Sequence, residues 1–192
     1  MRLRLPLNRV KEIGPILRRF FINTLFDSTF MQLGIIIASA FAMNADMRIV
    51  IGTLISSSVA LGISTGVSVY ESETLERERR VSELEKALFR KLDNTMITEN
   101  YRTYATILSV VNFITPLACC SIVILPLVLA FFQLLDVVVA SWISIALALS
   151  ILFIAGIYFG RYGKQKPLMK GLRMVAFGVV AFIICSIIQI LI

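Results

Sequence analysis

The chain has 192 residues, 58% of them hydrophobic and only 16% charged, with a mean hydropathy of +0.87. A soluble domain is nearer half apolar and a quarter charged, so composition excludes an ordinary soluble fold and predicts an all-α polytopic membrane protein. The net charge of +7 is segregated between apolar segments and carries no nucleic-acid-binding pattern, so neither RNA nor DNA is an expected partner.

A spanning helix needs ~20 mostly apolar residues, and five stretches qualify: 20–43, 49–70, 104–132, 137–159 and 171–192. Ahead of them, residues 1–19 interleave Leu3, Leu5, Leu7, Val10, Ile13, Ile16 and Leu17 with Arg2, Arg4, Arg9, Lys11, Arg18 and Arg19. That mixture suits either an amphipathic segment in the headgroup region or a plain topogenic tail. No short apolar segment with a small-residue cleavage site precedes the first span, so no cleaved signal is expected.

The first span holds Asp27, the one Asp, Glu, Lys or Arg well inside any predicted span. A carboxylate at membrane depth is costly and persists mainly where it faces a cavity or an ion path. Met31 lies four residues on and shares its helical face, and Asn23 and Thr24 extend the polar stripe. A carboxylate with a thioether one turn away suits a borderline-soft divalent ion such as Fe²⁺. The alternative is an interhelical hydrogen bond from a protonated Asp27.

The second span carries two rows of small residues: Gly52, Ser56, Ala60, Ser64 and Ser68, and beside them Ser58, Gly62 and Gly66. Small residues let helices approach closely in lipid, so a helix contact surface is the simplest expectation. The hydroxyls of Ser64, Thr65 and Ser68 are candidates for lining a pathway. With no Pro or Gly break, this span runs into the stretch 71–103, where Glu71, Glu73, Glu76, Glu78, Glu83 and Glu85 fall within fifteen residues. Glu71, Glu78 and Glu85 line one face, while the Glu76–Arg80 and Arg79–Glu83 spacings suit surface ion pairs. Leu75, Val81, Leu84, Leu88 and Leu92 form an apolar stripe. The stretch has eight acids against seven bases. It reads either as a solvated charged helix or, if carboxylates from two subunits cluster, as an oxygen-rich site for a divalent metal.

The third span contains Pro116 and Pro126, which remove backbone donors, with Asn112 and Thr115 just before Pro116 as candidates for the same cavity as Asp27. Gly156 and Gly160 form a second close-packing pattern at the end of the fourth span. Cys119, Cys120 and Cys185 all fall in spans and read as buried hydrophobes. Histidine is absent. No nucleophile constellation, phosphate loop or dinucleotide motif is present, so enzymatic chemistry is not expected.

Basic residues set the expected orientation. Eighteen of the 19 fall on one side if the chain starts in the cytosol, in the blocks before residue 20, at 71–103 and at 160–173; the exception is Arg48. The organisation expected is a cytosolic lead-in at 1–19, two membrane helices at 20–70, a cytosolic Glu-rich segment at 71–103, and three membrane helices at 104–192. Five helices are few to enclose a polar path, which favours a homodimer with the path near the shared interface.

Two segments carry a family resemblance. ALGISTGVSVYESETLERER resembles the second-helix motif of the vacuolar iron transporter family, where a small-residue helix runs into a glutamate-rich cytosolic helix. LFIAGIYFGRYGKQKPLMKGLRMVAFGVVAFII resembles that family's last two helices, and the first span with Asp27 and Met31 fits its first. The resemblance implies a homodimer that exports Fe²⁺ or Mn²⁺ from the cytosol in exchange for protons, with no resident cofactor. It implies Asp27 as a conducting carboxylate and metal capture by Glu71, Glu73, Glu76, Glu78, Glu83 and Glu85. Met96 and Glu99 resemble a Met-x-x-Glu feature of the family's cytosolic domain. The chain departs from the pattern at Thr65, where the family has Met, and at Ser68-Val69-Tyr70, where it has Gly-Glu-Tyr, so that glutamate is missing unless Glu71 substitutes. The 33 residues at 71–103 are also short for the family's three-helix metal-binding domain.

Overall fold

The computed structural model describes residues 7–40, 46–89, 101–161 and 166–191, and all its regular structure is helical. The helices are α1 (Leu7–Ala40), α2 (Met47–Leu88), α3 (Tyr101–Val123), α4 (Leu125–Phe131), α5 (Val137–Gly160) and α6 (Pro167–Leu191). Five of them are long and apolar enough to cross a bilayer, and the chain is an all-α multi-pass membrane protein. This is the outcome expected where backbone N–H and C=O groups must be satisfied within each spanning segment.

α2 is one unbroken helix of 42 residues, about 63 Å at 1.5 Å per residue and twice the hydrocarbon thickness. Its start is capped by Asp46, whose carboxylate accepts the Arg48 backbone N–H at 2.9 Å. Its end is marked by Phe89 at a φ of 50°. The expected third span at 104–132 is corrected: α3 stops at Val123 and a separate seven-residue α4 starts at Leu125. Pro126 is the cause, since it lacks a donor and its ring crowds the carbonyl four residues back. α4 ends with Gln133 at a φ of 59°. There the Leu134 N–H reaches Leu129 O at 3.0 Å and the Gln133 N–H reaches Ala130 O at 2.9 Å. Those are the paired bonds of a Schellman C-cap, with glutamine where glycine is usual.

The chain divides into two compact units. The first joins the start of α1 to 61–115. Here Gly62 and Gly66 let α2 and α3 touch: a Cβ on Gly62 would lie 2.7 Å from Phe113 O, and one on Gly66 would lie 3.3 Å from Ser109 O. Ser109 Oγ donates to Gly66 O at 2.7 Å. Pro116 has no N–H for the Asn112 carbonyl, and Thr65 Oγ1 donates to that oxygen instead at 3.3 Å.

The second unit joins 25–60 to 116–192. In it α5 and α6 form an antiparallel pair, recognisable from the reversed order of its contacts. A Cβ on Gly160 would meet Pro167 Cα at 2.6 Å, one on Gly156 would meet Gly171 Cα at 2.7 Å, and one on Gly178 would meet Leu149 Cδ2 at 2.6 Å. Trp142 and Phe182 tilt against each other across the same pair, 5.9 Å apart. Arg48, the one base outside the three basic blocks, lies over the Phe131 ring at 5.7 Å, a cation–π placement.

Candidate functional site

Polar side chains of α1 occupy two different helical rows. Thr24, Ser28, Thr29 and Gln32 are buried, the last three completely. Asn23 and Asp27 are exposed and Met31 is half-buried. The i,i+4 register explains both rows: 24–28–32 projects inward with Leu25, Leu33, Ile36 and Ile37, and 23–27–31 lies about 100° away around the axis. The apolar span of α1 covers Gly14–Ser39, which puts Asp27 at its middle rather than near one end.

In the first unit, Thr24 Oγ1 donates to Asn112 Oδ1 at 2.6 Å, and Asn112 Nδ2 donates to Leu108 O at 2.8 Å. Asn112 is fully buried, and its side chain serves this interhelical bond to Thr24. In the second unit, Gln32 Nε2 donates to Ser58 Oγ and to Pro116 O, each at 3.3 Å. Ser28 Oγ and Thr29 Oγ1 return to Leu25 O at 3.0 and 2.7 Å. Cys120 Sγ lies 3.7 Å from Leu54 O. Gln32 Oε1 is buried with no hydrogen-bond partner among the described residues.

Interhelical polar contacts in membranes are worth about 0.6 kcal/mol on average, and an unsatisfied buried acceptor costs about 1–3 kcal/mol. Both Gln32 bonds are long and its oxygen is orphaned, so the two effects oppose each other. Gln32→Leu is therefore expected to change unfolding stability in detergent by no more than about 1 kcal/mol. A loss well above that, measured by denaturant titration, would show that Gln32 is worth more than its two visible bonds.

The small-residue rows of α2 separate in the same way. Ser58, Gly62 and Gly66 are buried contacts, as expected of a packing surface. Gly52, Ser56, Ala60, Ser64 and Ser68 are all exposed, and a Cβ on Gly52 would touch nothing within 4 Å. Of the pathway candidates, Ser64 and Ser68 therefore face outward, while Thr65 is half-buried against α3.

The glutamates are dispersed around α2. Glu71, Glu76, Glu78 and Glu83 are exposed, Glu85 is half-buried and Glu73 is buried. The two anticipated ion pairs form, Arg80–Glu76 at 3.1 Å and Arg79–Glu83 at 3.2 Å; as exposed i,i+4 pairs they contribute about 0.3–0.5 kcal/mol each. A hollow of about 490 Å³ in the first unit holds Glu73 and Glu76, but Arg19, Arg77, Arg79 and Arg80 line it too. Four guanidinium groups against two carboxylates make it a mixed, net-positive surface. Among the described residues no three His, Cys, Asp or Glu side chains converge as a metal site. Met96 and Glu99 lie outside the described residues.

The buried glutamine, Gln32, carries no weight in the sequence expectations. Its signal was the 24–28–32 spacing with Thr29 alongside, a run of hydrogen-bonding side chains in lipid of the kind that joins helices.

No family model matches the chain. It is similar to an uncharacterized protein of Methanocaldococcus jannaschii, 25% identical over 174 residues that cover 89% of this chain and 87% of that relative.

Proposed function

We propose that the chain is a membrane transporter of divalent transition-metal cations, Fe²⁺ or Mn²⁺, that moves them out of the cytosol against protons as a homodimer. Asp27 carries this reading: a carboxylate at the middle of a membrane span, exposed on the protomer surface. Lipid is a poor solvent for that group, and its exposed position leaves it open to a polar path or a second protomer. In unit two the exposed Gly52, Ser56 and Ala60 offer α2 a close-packing face for that second protomer. The basic blocks support a cytosolic N-terminus and a C-terminus across the membrane. The metal identity rests on the family resemblance; the six glutamates contribute capture only if subunits bring them together.

Purified protein in proteoliposomes should accumulate Mn²⁺ or Fe²⁺ with a saturable rate and release or take up protons in step. Flux equal to that of protein-free vesicles, under either direction of pH gradient, overturns the reading.

A second reading is a membrane scaffold, with the charged extension of α2 binding a protein partner. It is favoured by one observation: Leu75, Leu84 and Leu88 stand 70%, 45% and 60% exposed along that extension. Loss of a co-purifying partner on Leu84→Ser, with no metal flux in the parent protein, would select it.

A further inference from the structure

We propose that the turn end of the α5–α6 pair is a binding site for an anionic phospholipid, with its phosphate held by a basic row on α6 and part of an acyl chain in the hollow beside it. The inference is independent of the transport reading.

The charge argument begins in the sequence. After Asp136 the chain contains no Asp or Glu, and all five of its later bases lie between 161 and 173. The tight approach of Gly160 to Pro167, 2.6 Å for an added Cβ, sets the end of α5 against the start of α6. Arg161 and Lys166 flank that approach. The Met169 and Lys170 N–H groups return to Lys166 O at 3.0 and 3.3 Å, so Lys166 stands at the mouth of α6. From there Lys166, Lys170 and Arg173 follow at spacings of four and three, along one helical row. Arg161, Lys166 and Arg173 are exposed and Lys170 is half-buried. The Arg80–Glu76 and Arg79–Glu83 pairs lie in α2, and beyond Asp136 the sequence supplies this row with no carboxylate of its own.

The second observation is apolar. A hollow of about 340 Å³ opens between Phe153 of α5 and Leu168, Met169 and Leu172 of α6, and Lys166 is its one charged wall. Leu168, Met169 and Leu172 are each more than 60% exposed. A cation on the rim of an apolar trough, at the end of two spanning helices, matches a phospholipid: phosphate at the rim, chain in the trough. Basic pockets between membrane helices recognise anionic headgroups by this chemistry. Topogenic charge alone requires the bases but not the hollow. A soluble anion would use the bases but not Phe153 or Leu172.

The test uses the full chain purified in detergent, with bound lipid read by native mass spectrometry. Phosphatidylglycerol should bind in preference to phosphatidylcholine. Lys166→Gln/Lys170→Gln should weaken phosphatidylglycerol binding by about tenfold or more, and Lys166→Arg should preserve it. Leu172→Trp keeps every charge, and with it the topology, but fills the hollow; it should also weaken binding. Equal binding of the two lipids, or unchanged phosphatidylglycerol binding in Leu172→Trp, overturns the proposal. So does displacement of the lipid by millimolar inorganic phosphate, which would mark a free-anion site.

Discussion

Asp27→Asn is expected to reduce Mn²⁺ or Fe²⁺ flux in proteoliposomes to the level of empty vesicles, while the protein remains folded. The amide keeps the shape and one carbonyl oxygen but removes both the charge that draws a cation and the proton that would exchange for it. Folding should be indifferent to the change, because Asp27 is on the exposed row of α1 and the buried row 24–28–32 does the interior packing. Stability is read alongside flux: the neutral side chain is cheaper than a carboxylate at membrane depth, so the unfolding midpoint should hold or rise. Asp27→Glu, which keeps the charge one methylene further out, should retain part of the flux. Wild-type flux in Asp27→Asn would remove Asp27 from the mechanism whatever the fate of the transport reading.

Gly156→Ile is expected to cost about 3 kcal/mol or more, at the upper end of what overpacking a close contact costs. The added Cβ alone would fall 2.7 Å from Gly171 Cα and 2.9 Å from Met174 Cγ. Methionine can swing aside, but the Gly171 atom is backbone, so α6 itself must move. That movement also opens the Gly160–Pro167 and Gly178–Leu149 contacts along the same pair. Gly14→Ala is the matched control, at a position away from the proposed subunit face. Nothing lies within 4 Å of its Cβ position, so its unfolding midpoint in detergent should equal that of the parent. Equal midpoints for Gly156→Ile and the parent would mean that the α5–α6 contact is looser than the glycine spacing requires.

The class and the number of spanning helices were legible because lipid imposes length and apolarity on each segment, and those are one-dimensional properties. The continuity of α2 was legible from the absence of proline across Ile49–Leu88 and of any Pro or Gly where the span runs into the charged stretch. Pro116 and Pro126 were both candidates for a kink, and the sequence did not say which would end the helix: it continues through Pro116, where Thr65 also reaches the freed Asn112 carbonyl, and stops before Pro126. The two rows of α1 and of α2 posed the same difficulty. Spacing says which residues share a face but not which face turns inward. The stripe with Asp27 and the stripe with Gln32 are equally periodic, and only the partners Asn112 and Ser58, distant in sequence, choose between them. Within the described residues of one chain the glutamates do not converge, for a simpler reason: on one straight helix, six carboxylates spread around the axis unless another element draws them together.

The division of α1 into two polar rows has a consequence for how the chain enters a membrane. Its span has the lowest mean hydropathy of the five, 1.4, because Asn23, Thr24, Asp27, Ser28, Thr29 and Gln32 crowd into ten residues. Such a segment partitions poorly as a lone helix. Yet the hydroxyl that receives Gln32 is made 26 residues later and the amide that receives Thr24 is made 88 residues later. The first span is therefore expected to commit to lipid more weakly than the other four until α3 has been synthesised.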